Sequence, residues 1–318
     1  MGELELALAR TRAHPPEPVV LGRKIHGVVS WNMNDTCNYR CSYCTQRFLP
    51  DRSGHLTATE VDAHVAAFRT LPGSWEIKLS GGEPFQQPGL VDIVTALVEA
   101  GHILSVQTNF SASERRLTSF LEATRGHLHV FAASLHLEYA TAADFIAKYS
   151  IVRPFVEAHG VSFCVTSVAT PARLSQLRDE IAPAFAAAGV RFKVQPEKVH
   201  GAMRAYSAEE RVTLLALGGH NGLGTLAPNF QGRLCWAGSR YLVVKSSGRA
   251  YRCYPAARIG GRHADHGAIA TGFSLADGPR ACPYTHCHCT VPIERGMIQG
   301  VSAIDPERAS PFAHLEET

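Results

Sequence analysis

The sequence predicts an α/β fold followed by a smaller cysteine-rich region, and three observations carry that prediction. From about residue 25 to 196, short β-branched runs alternate with amphipathic, Ala/Leu-rich segments. The connections between them are short, which implies parallel βαβ units. Beyond a glycine-containing stretch at 217–232 with a Pro-Asn turn, the composition shifts and five cysteines follow: Cys235, Cys253, Cys282, Cys287 and Cys289. The expected organisation is an N-terminal extension over 1–24, an α/β domain over 25–216 and a second domain over 217–318.

The elements follow in order. Val28 and Val29 mark a first strand at 26–33, and Ile77 a second at 75–79. Ile103 and Val106 mark a third at 103–108, and Val130 a fourth at 128–135. The fifth and sixth, at 161–168 and 190–195, begin at Val161 and Val190. Helices are expected between them at 57–71, 88–100, 113–125, 141–159 and 173–188. Six such units form either an open doubly wound sheet or a partial barrel, and in both the ligands sit at the C-terminal ends of the strands. In the second domain a hairpin is expected from 241–244 and 249–252, turning at Ser246-Ser247-Gly248.

Composition excludes several classes. The 318 residues are 45% apolar and 19% charged, which suits a globular enzyme of one large domain and a smaller one. The formal charge is +3, from 31 basic and 28 acidic residues, without a long run of one sign, so no nucleic-acid partner is indicated. The N-terminus carries Glu3 and Glu5 and no apolar h-region, so no signal peptide is visible. No run of apolar residues is long enough to span a membrane. Nine cysteines without export are read as metal ligands or reactive thiols in a reducing cytoplasm.

The densest chemical signal is Cys37-Asn-Tyr-Arg-Cys41-Ser-Tyr43-Cys44, directly after the first strand. Three thiolates on one short loop can hold three corners of an iron–sulfur cube and leave the fourth iron open to a small molecule. Zinc is the rival, but a closed structural zinc site wants four ligands, and no His or Cys nearby is the obvious fourth. The second signal, Ser80-Gly81-Gly82-Glu83-Pro84, follows the second strand. Paired glycines let a backbone approach a ligand closely, or make an ordinary βα turn.

Together the two motifs, in this order, resemble the radical S-adenosylmethionine (SAM) superfamily over roughly residues 25–200. The resemblance implies a partial (βα)6 barrel. It implies that Cys37, Cys41 and Cys44 ligate a [4Fe–4S] cluster, that Tyr43 packs near the SAM adenine, and that Gly81, Gly82 and Glu83 meet its methionine end. Thr108 and Asn109 stand where the family often carries Thr-Asn-Gly, with Phe110 replacing the glycine. Ser134 implies a ribose or carboxylate contact, and His136, where an acid is common, a substrate-facing role. For these strand-end residues, satisfaction by neighbouring loops is the plain alternative. The family's chemistry is reductive homolysis of SAM to a 5′-deoxyadenosyl radical that abstracts hydrogen, and it requires a one-electron reductant of flavodoxin or ferredoxin type.

The C-terminal cysteines resemble the SPASM domain and its shortened twitch form, which hold auxiliary clusters. Five thiols permit one such [4Fe–4S] cluster, and a zinc ribbon is the alternative. The favoured ligand assignment takes Cys235, Cys282, Cys287 and Cys289 and leaves Cys253 free as the hydrogen donor. The twitch pattern instead makes both Cys235 and Cys253 ligands and frees one of the last three. A free, buried, protonated thiol is what an epimerase needs to return hydrogen to a carbon radical. Cys253 and Cys164 are the two candidates, although Cys164 also suits a small core residue.

This layout resembles twitch-type radical SAM enzymes that tailor aminoglycoside antibiotics, and the spare thiols resemble a neomycin-type epimerase most. A polycationic aminoglycoside needs carboxylates, for which Glu138 and Glu197 are candidates, and solvated loop acids are the alternative reading. A radical SAM dehydrogenase of an amino sugar or cyclitol, a peptide-modifying radical SAM enzyme, and a non-catalytic metal scaffold are the competing functions.

Overall fold

The computed structural model describes residues 15–45, 54–199, 202–220, 225–261, 263–287 and 290–301. Its centre is one ten-stranded, mostly parallel sheet. In chain order the elements are β1 (Gly27–Asn34), α1 (Ala58–Arg69), β2 (Trp75–Gly81), α2 (Leu90–Glu99), β3 (Ile103–Thr108), α3 (Glu114–Ala123), β4 (Leu128–Leu135), α4 (Ala142–Ala158) and β5 (Ser162–Ala169). They continue through α5 (Ala182–Ala187), β6 (Phe192–Pro196), α6 (Ala208–Ala216), β7 (Tyr241–Val244), β8 (Arg249–Tyr251), α7 (Tyr254–Ile259), β9 (Asp265–Ala268), β10 (Gly272–Phe273) and α8 (Thr290–Glu294).

Strands β1 to β6 lie side by side in sequence order, all parallel. Right-handed crossovers between consecutive parallel strands put the helices that join β1 to β6 on one face, and α1 through α4 touch one another in turn. Helices α1 and α4 start with reciprocal capping boxes, Thr57 with Glu60 and Thr141 with Asp144, which satisfy the otherwise unpaired first N–H groups. The expected helix at 173–188 is interrupted by a wide π turn over Leu177–Ile181. Pro183 has no N–H to donate to the carbonyl of Asp179, so a regular helix cannot pass through that point.

Alternation along the strands gives the sheet two unlike faces. Toward the helices point Trp31, Ile77, Leu79, Val106, Phe131 and Phe163, packed with Phe68, Leu97 and Phe120 in the main core. Toward the other face point Ser30, Asn32, Lys78, Ser80, Gln107, Ser134, Cys164, Thr166 and Lys193, aligned across the sheet by the strand register.

The C-terminal region extends the same sheet. The expected hairpin forms as β7 and β8, and β7 also pairs in parallel with β1, the strand most distant from it in sequence. Gly27 permits this close approach: a Cβ there would stand 2.5 Å from the Arg240 carbonyl oxygen and from the Trp75 ring. The segments on either side of the expected 216/217 boundary therefore share one hydrogen-bonded sheet. Helix α8 and the residues after it, with Ile293 and Met297 fully buried, are tied to the start of β2 by Arg295, whose Nη2 lies 2.9 Å from Glu76 Oε2. Among the described residues no helix is long and apolar enough to cross a membrane.

Candidate functional site

The Cys37–Cys44 loop leaves β1 at the C-terminal end of the sheet. Its stem is laced to β2 by backbone bonds, Gly82 N–H to Asn34 O at 2.8 Å and Glu83 N–H to Thr36 O at 2.7 Å. Both glycines are needed for that lacing. Gly81 has φ +142 and would bring a Cβ within 2.5 Å of the Asn34 oxygen, and at Gly82 a Cβ would fall 2.1 Å from the Thr36 oxygen.

Within the loop, the Tyr39 N–H and the Asn109 side-chain amide donate to Cys37 Sγ at 3.3 and 3.7 Å. Burial pushes the Cys37 thiol up, and it pushes Cys41 up to about 11, with the other loop thiols adding to both shifts. Cys44 is exposed. The residues between the cysteines are held from neighbouring strand ends. Asn38 bonds Asn109 at 2.8 Å and Ser111 at 3.0 Å. Tyr39 stacks on Tyr139 at 4.2 Å, and Arg40 N–H donates to the Tyr139 hydroxyl at 2.8 Å.

The other expected contacts lie around this loop. Tyr43 is half-buried against His136, its hydroxyl 2.8 Å from Nδ1. Burial, first of all, raises the Tyr43 phenol well above its ordinary value and lowers His136 to about 4. Glu138 accepts from the Ser42 N–H at 3.0 Å and from its hydroxyl at 2.5 Å, so its carboxylate serves the cysteine loop. Glu197 pairs with Arg204 at 3.0 Å. Glu83 is completely buried and turned inward, accepting from Thr108 Oγ1 and Asn109 N at 2.6 Å and from Phe85 N at 3.0 Å. Burial lifts its carboxyl to about 6 against the pull of those bonds. Ser134 receives Gln107 Nε2 at 3.3 Å and lies 3.5 Å from Thr166 Oγ1.

Three buried oxygens near the loop stem, Asn32 Oδ1, Asn34 Oδ1 and Thr36 Oγ1, have no hydrogen-bond partner. Unsatisfied acceptors beside three thiols on one loop suit a bound polar cofactor next to an iron–sulfur cube. The donor set therefore fits the cluster and SAM that the motifs imply.

Cys164 is fully buried on the polar face of β5, and burial pushes its thiol up to about 12. Cys253 lies elsewhere. It lines one pocket with Cys235, Cys282 and Cys287, closed by Tyr284 and Arg252. The chain brings these thiols together through the antiparallel pairing of Leu234–Cys235 with Arg280–Ala281 and through the Cys287 N–H bond to Pro228 O at 2.9 Å. Four soft donors spread around one pocket fit a multi-iron iron–sulfur cluster. Cys289 lies outside the described residues. Among the described residues, no three His, Cys or carboxylate side chains are gathered closely enough to hold a single metal ion.

Sequence reasoning missed Tyr139, Asn32 and Arg252. Tyr139 was visible as the aromatic ending the run His136-Leu-Glu138-Tyr139. Arg252 was visible only as the residue before Cys253, and Asn32 carried no signal.

The described residues thus place a three-thiol loop at the C-terminal end of a parallel α/β sheet. Residues 31–152 match the family model described as the Radical SAM superfamily. Among solved structures, the chain is similar to native anSMEcpe with bound AdoMet and Kp18Cys peptide, at 14% identity and TM-score 0.51, over 76% of this chain and 77% of that one. It is also similar to SuiB of Streptococcus suis bound to the precursor peptide SuiA, at 17% identity and TM-score 0.51, over 83% of this chain and 66% of that one. At these identities the likeness is one of fold.

Proposed function

We propose that this chain is a radical SAM epimerase that inverts one carbon of an amino sugar of the aminoglycoside class. The observation that carries the radical SAM part is the three-thiol loop at the C-terminal ends of six sequential parallel strands, next to a polar sheet face. That strand order is the order of a barrel wall, which supports the partial (βα)6 reading.

Cys37, Cys41 and Cys44 would hold the [4Fe–4S] cluster, with Tyr43, Gly81, Gly82, Glu83, Thr108, Asn109 and Ser134 around SAM. Together these groups supply, when bound, one-electron cleavage of the sulfonium and a carbon radical that takes hydrogen from an unactivated C–H bond. The protein's own task is to hold the substrate carbon at near-attack distance and to exclude water. Ser80, Gln107, Ser134 and Thr166 offer hydroxyl and amide partners on that face for a polyhydroxylated ring. The reductant would be a flavodoxin- or ferredoxin-type protein of the cytoplasm.

The hydrogen donor in this reading is Cys164. Its thiol stays protonated through burial and belongs to the same sheet face as Gln107 and Ser134. Cys253 was the other candidate, and its company with three further thiols favours an auxiliary-cluster ligand instead. Glu138 and Glu197 would have to exchange Ser42 and Arg204 for substrate ammonium groups.

One observation favours a second reading. Four thiols at one pocket suit an auxiliary cluster that accepts an electron, as a dehydrogenase of an amino sugar or cyclitol requires. A peptide substrate is the third, since the anSMEcpe and SuiB structures were solved with peptides.

The test is anaerobic turnover of reduced, reconstituted enzyme with SAM and a panel of aminoglycosides in D2O, read by mass spectrometry. A product one mass unit heavier, lost in Cys164→Ala, is expected. A product two units lighter would replace epimerisation by oxidation.

A further inference from the structure

Arg252 is 2% exposed, among the most deeply buried large side chains of the protein. Among the described residues its guanidinium reaches two carbonyl oxygens, at the long distances of 3.5 Å to Ala281 and 3.4 Å to Arg280, and its Nε finds no partner. Among the described residues no carboxylate pairs with it. The same side chain lines the pocket formed by Cys235, Cys253, Cys282 and Cys287. Tyr284 lines the same pocket, its hydroxyl donating to Gly260 O at 2.8 Å. Arg252 thus shares one pocket wall with the four thiols.

A buried cation without a counter-ion costs several kcal/mol, roughly the penalty of removing an ion from water without repayment. Neutral thiols offer no repayment. A metal–thiolate group does, because a cube held by four thiolates carries net negative charge. We infer that Arg252 is the built-in counter-cation of the four-thiol pocket, and that it holds a metal–thiolate cluster there and sets its reduction potential. The inference rests on the auxiliary-cluster reading of those cysteines and adds the residue that tunes it.

Arg252 is a positioning residue acting through charge, so its signature is electrochemical. Adding an electron makes the cluster more negative, and a neighbouring cation favours that state. Removing the cation lowers the midpoint potential, whereas Lys in its place retains most of the effect.

The experiment uses the full chain with Cys37, Cys41 and Cys44 replaced by Ala, so that remaining iron belongs to the four-thiol pocket. After reconstitution, iron content, midpoint potential and the rate of iron loss to a chelator are measured for this parent, Arg252→Gln and Arg252→Lys. The expected result is iron in the parent, and in R252Q a lower potential with roughly tenfold or more faster iron loss, the usual scale for a lost supporting contact. R252K is expected to stay near the parent. Absence of iron in the parent would overturn the auxiliary-cluster reading and the inference with it. Iron in the parent with equal potentials in all three would overturn the inference alone. Melting of the iron-free chains guards against misfolding: R252Q is expected to melt no lower than its parent, because it relieves an uncompensated charge. A clear fall would make Arg252 an ordinary structural residue.

Discussion

The Tyr43 hydroxyl lies 2.8 Å from Nδ1 of His136, with the two rings stacked at 5.9 Å and 18° apart in plane. This is one of a set of contacts in which three of the four residues after β4 grip the cysteine loop: His136 on Tyr43, Glu138 on Ser42, and Tyr139 on both Tyr39 and Arg40. Every residue gripped stands between two cysteines. The loop is thereby ordered by its non-ligand residues, which reduces the conformational entropy that ligation would otherwise remove.

Tyr139→Ala is therefore expected to loosen the loop more than Tyr139→Phe, which keeps the stack and loses only the acceptor for Arg40. Each contact is worth about 1 kcal/mol, so alkylation of Cys41 in the iron-free chain is expected to quicken about fivefold or more in Y139A. Equal alkylation rates in Y139A and the parent would count against a grip of this kind.

The same site gives a pH dependence with two opposing parts. Burial holds His136 down at about 4 from an ordinary 6.5. A depressed histidine contributes stability that is present above 6.5 and lost as pH falls toward 4. Burial also raises Glu83 from 4.5 to about 6. A raised carboxyl contributes stability that is present below 4.5 and lost as pH rises through 6. The urea midpoint of His136→Asn is expected to fall less than that of the parent between pH 6.5 and 4. Parallel curves would remove His136 as the source.

Glu76 is wholly buried and carries three basic neighbours, Arg295 at 2.9 Å, His129 at 3.2 Å and Lys78 at 3.7 Å. Burial pushes its carboxyl up, but Lys78, Arg295 and His129 outweigh that and hold it well below the usual range. Breaking such a pair leaves a buried charge short of its closest cation, at a cost of about 3–5 kcal/mol. Arg295→Met is expected to lose that much in urea denaturation. The exposed Arg153–Glu157 pair is the control, since solvent screens it and Arg153→Ala is expected to leave the urea midpoint nearly unchanged.

The parallel strands were legible because each carries a local β-branched run, such as Val28-Val29 or Ile103 with Val106. The cysteine loop was equally legible because its chemistry lies within eight residues of chain. The pairing of β7 with β1 was not, since nothing in Tyr241–Val244 announces a partner so remote in sequence. Glu138 and Glu197 looked like free acids because their partners, Ser42 and Arg204, are chosen by the fold. Cys253 looked spare for the same reason: counting thiols cannot tell which of them share a pocket.

Gly82 separates a ligand-facing glycine from one needed by the backbone. Its φ is not in the left-handed region, so an added methyl costs nothing in backbone strain. The obstacle is steric: the new Cβ would lie 2.1 Å from the oxygen and 2.5 Å from the carbon of Thr36. Backbone atoms cannot rotate away as a side chain does, so Thr36 must move, taking with it the 2.7 Å bond from Glu83 N–H and the adjoining Cys37. Overpacking of this kind costs about 1–3 kcal/mol, concentrated at the stem of the cysteine loop. Gly82→Ala is therefore expected to keep its circular dichroism and the iron of the C-terminal pocket while losing iron from the loop. Gly278→Ala, where an added Cβ meets nothing within 4 Å, is expected to bind as much iron as the parent. Full iron in G82A would mean that the stem yields without disturbing Cys37, and the glycine would then have to be explained by a ligand.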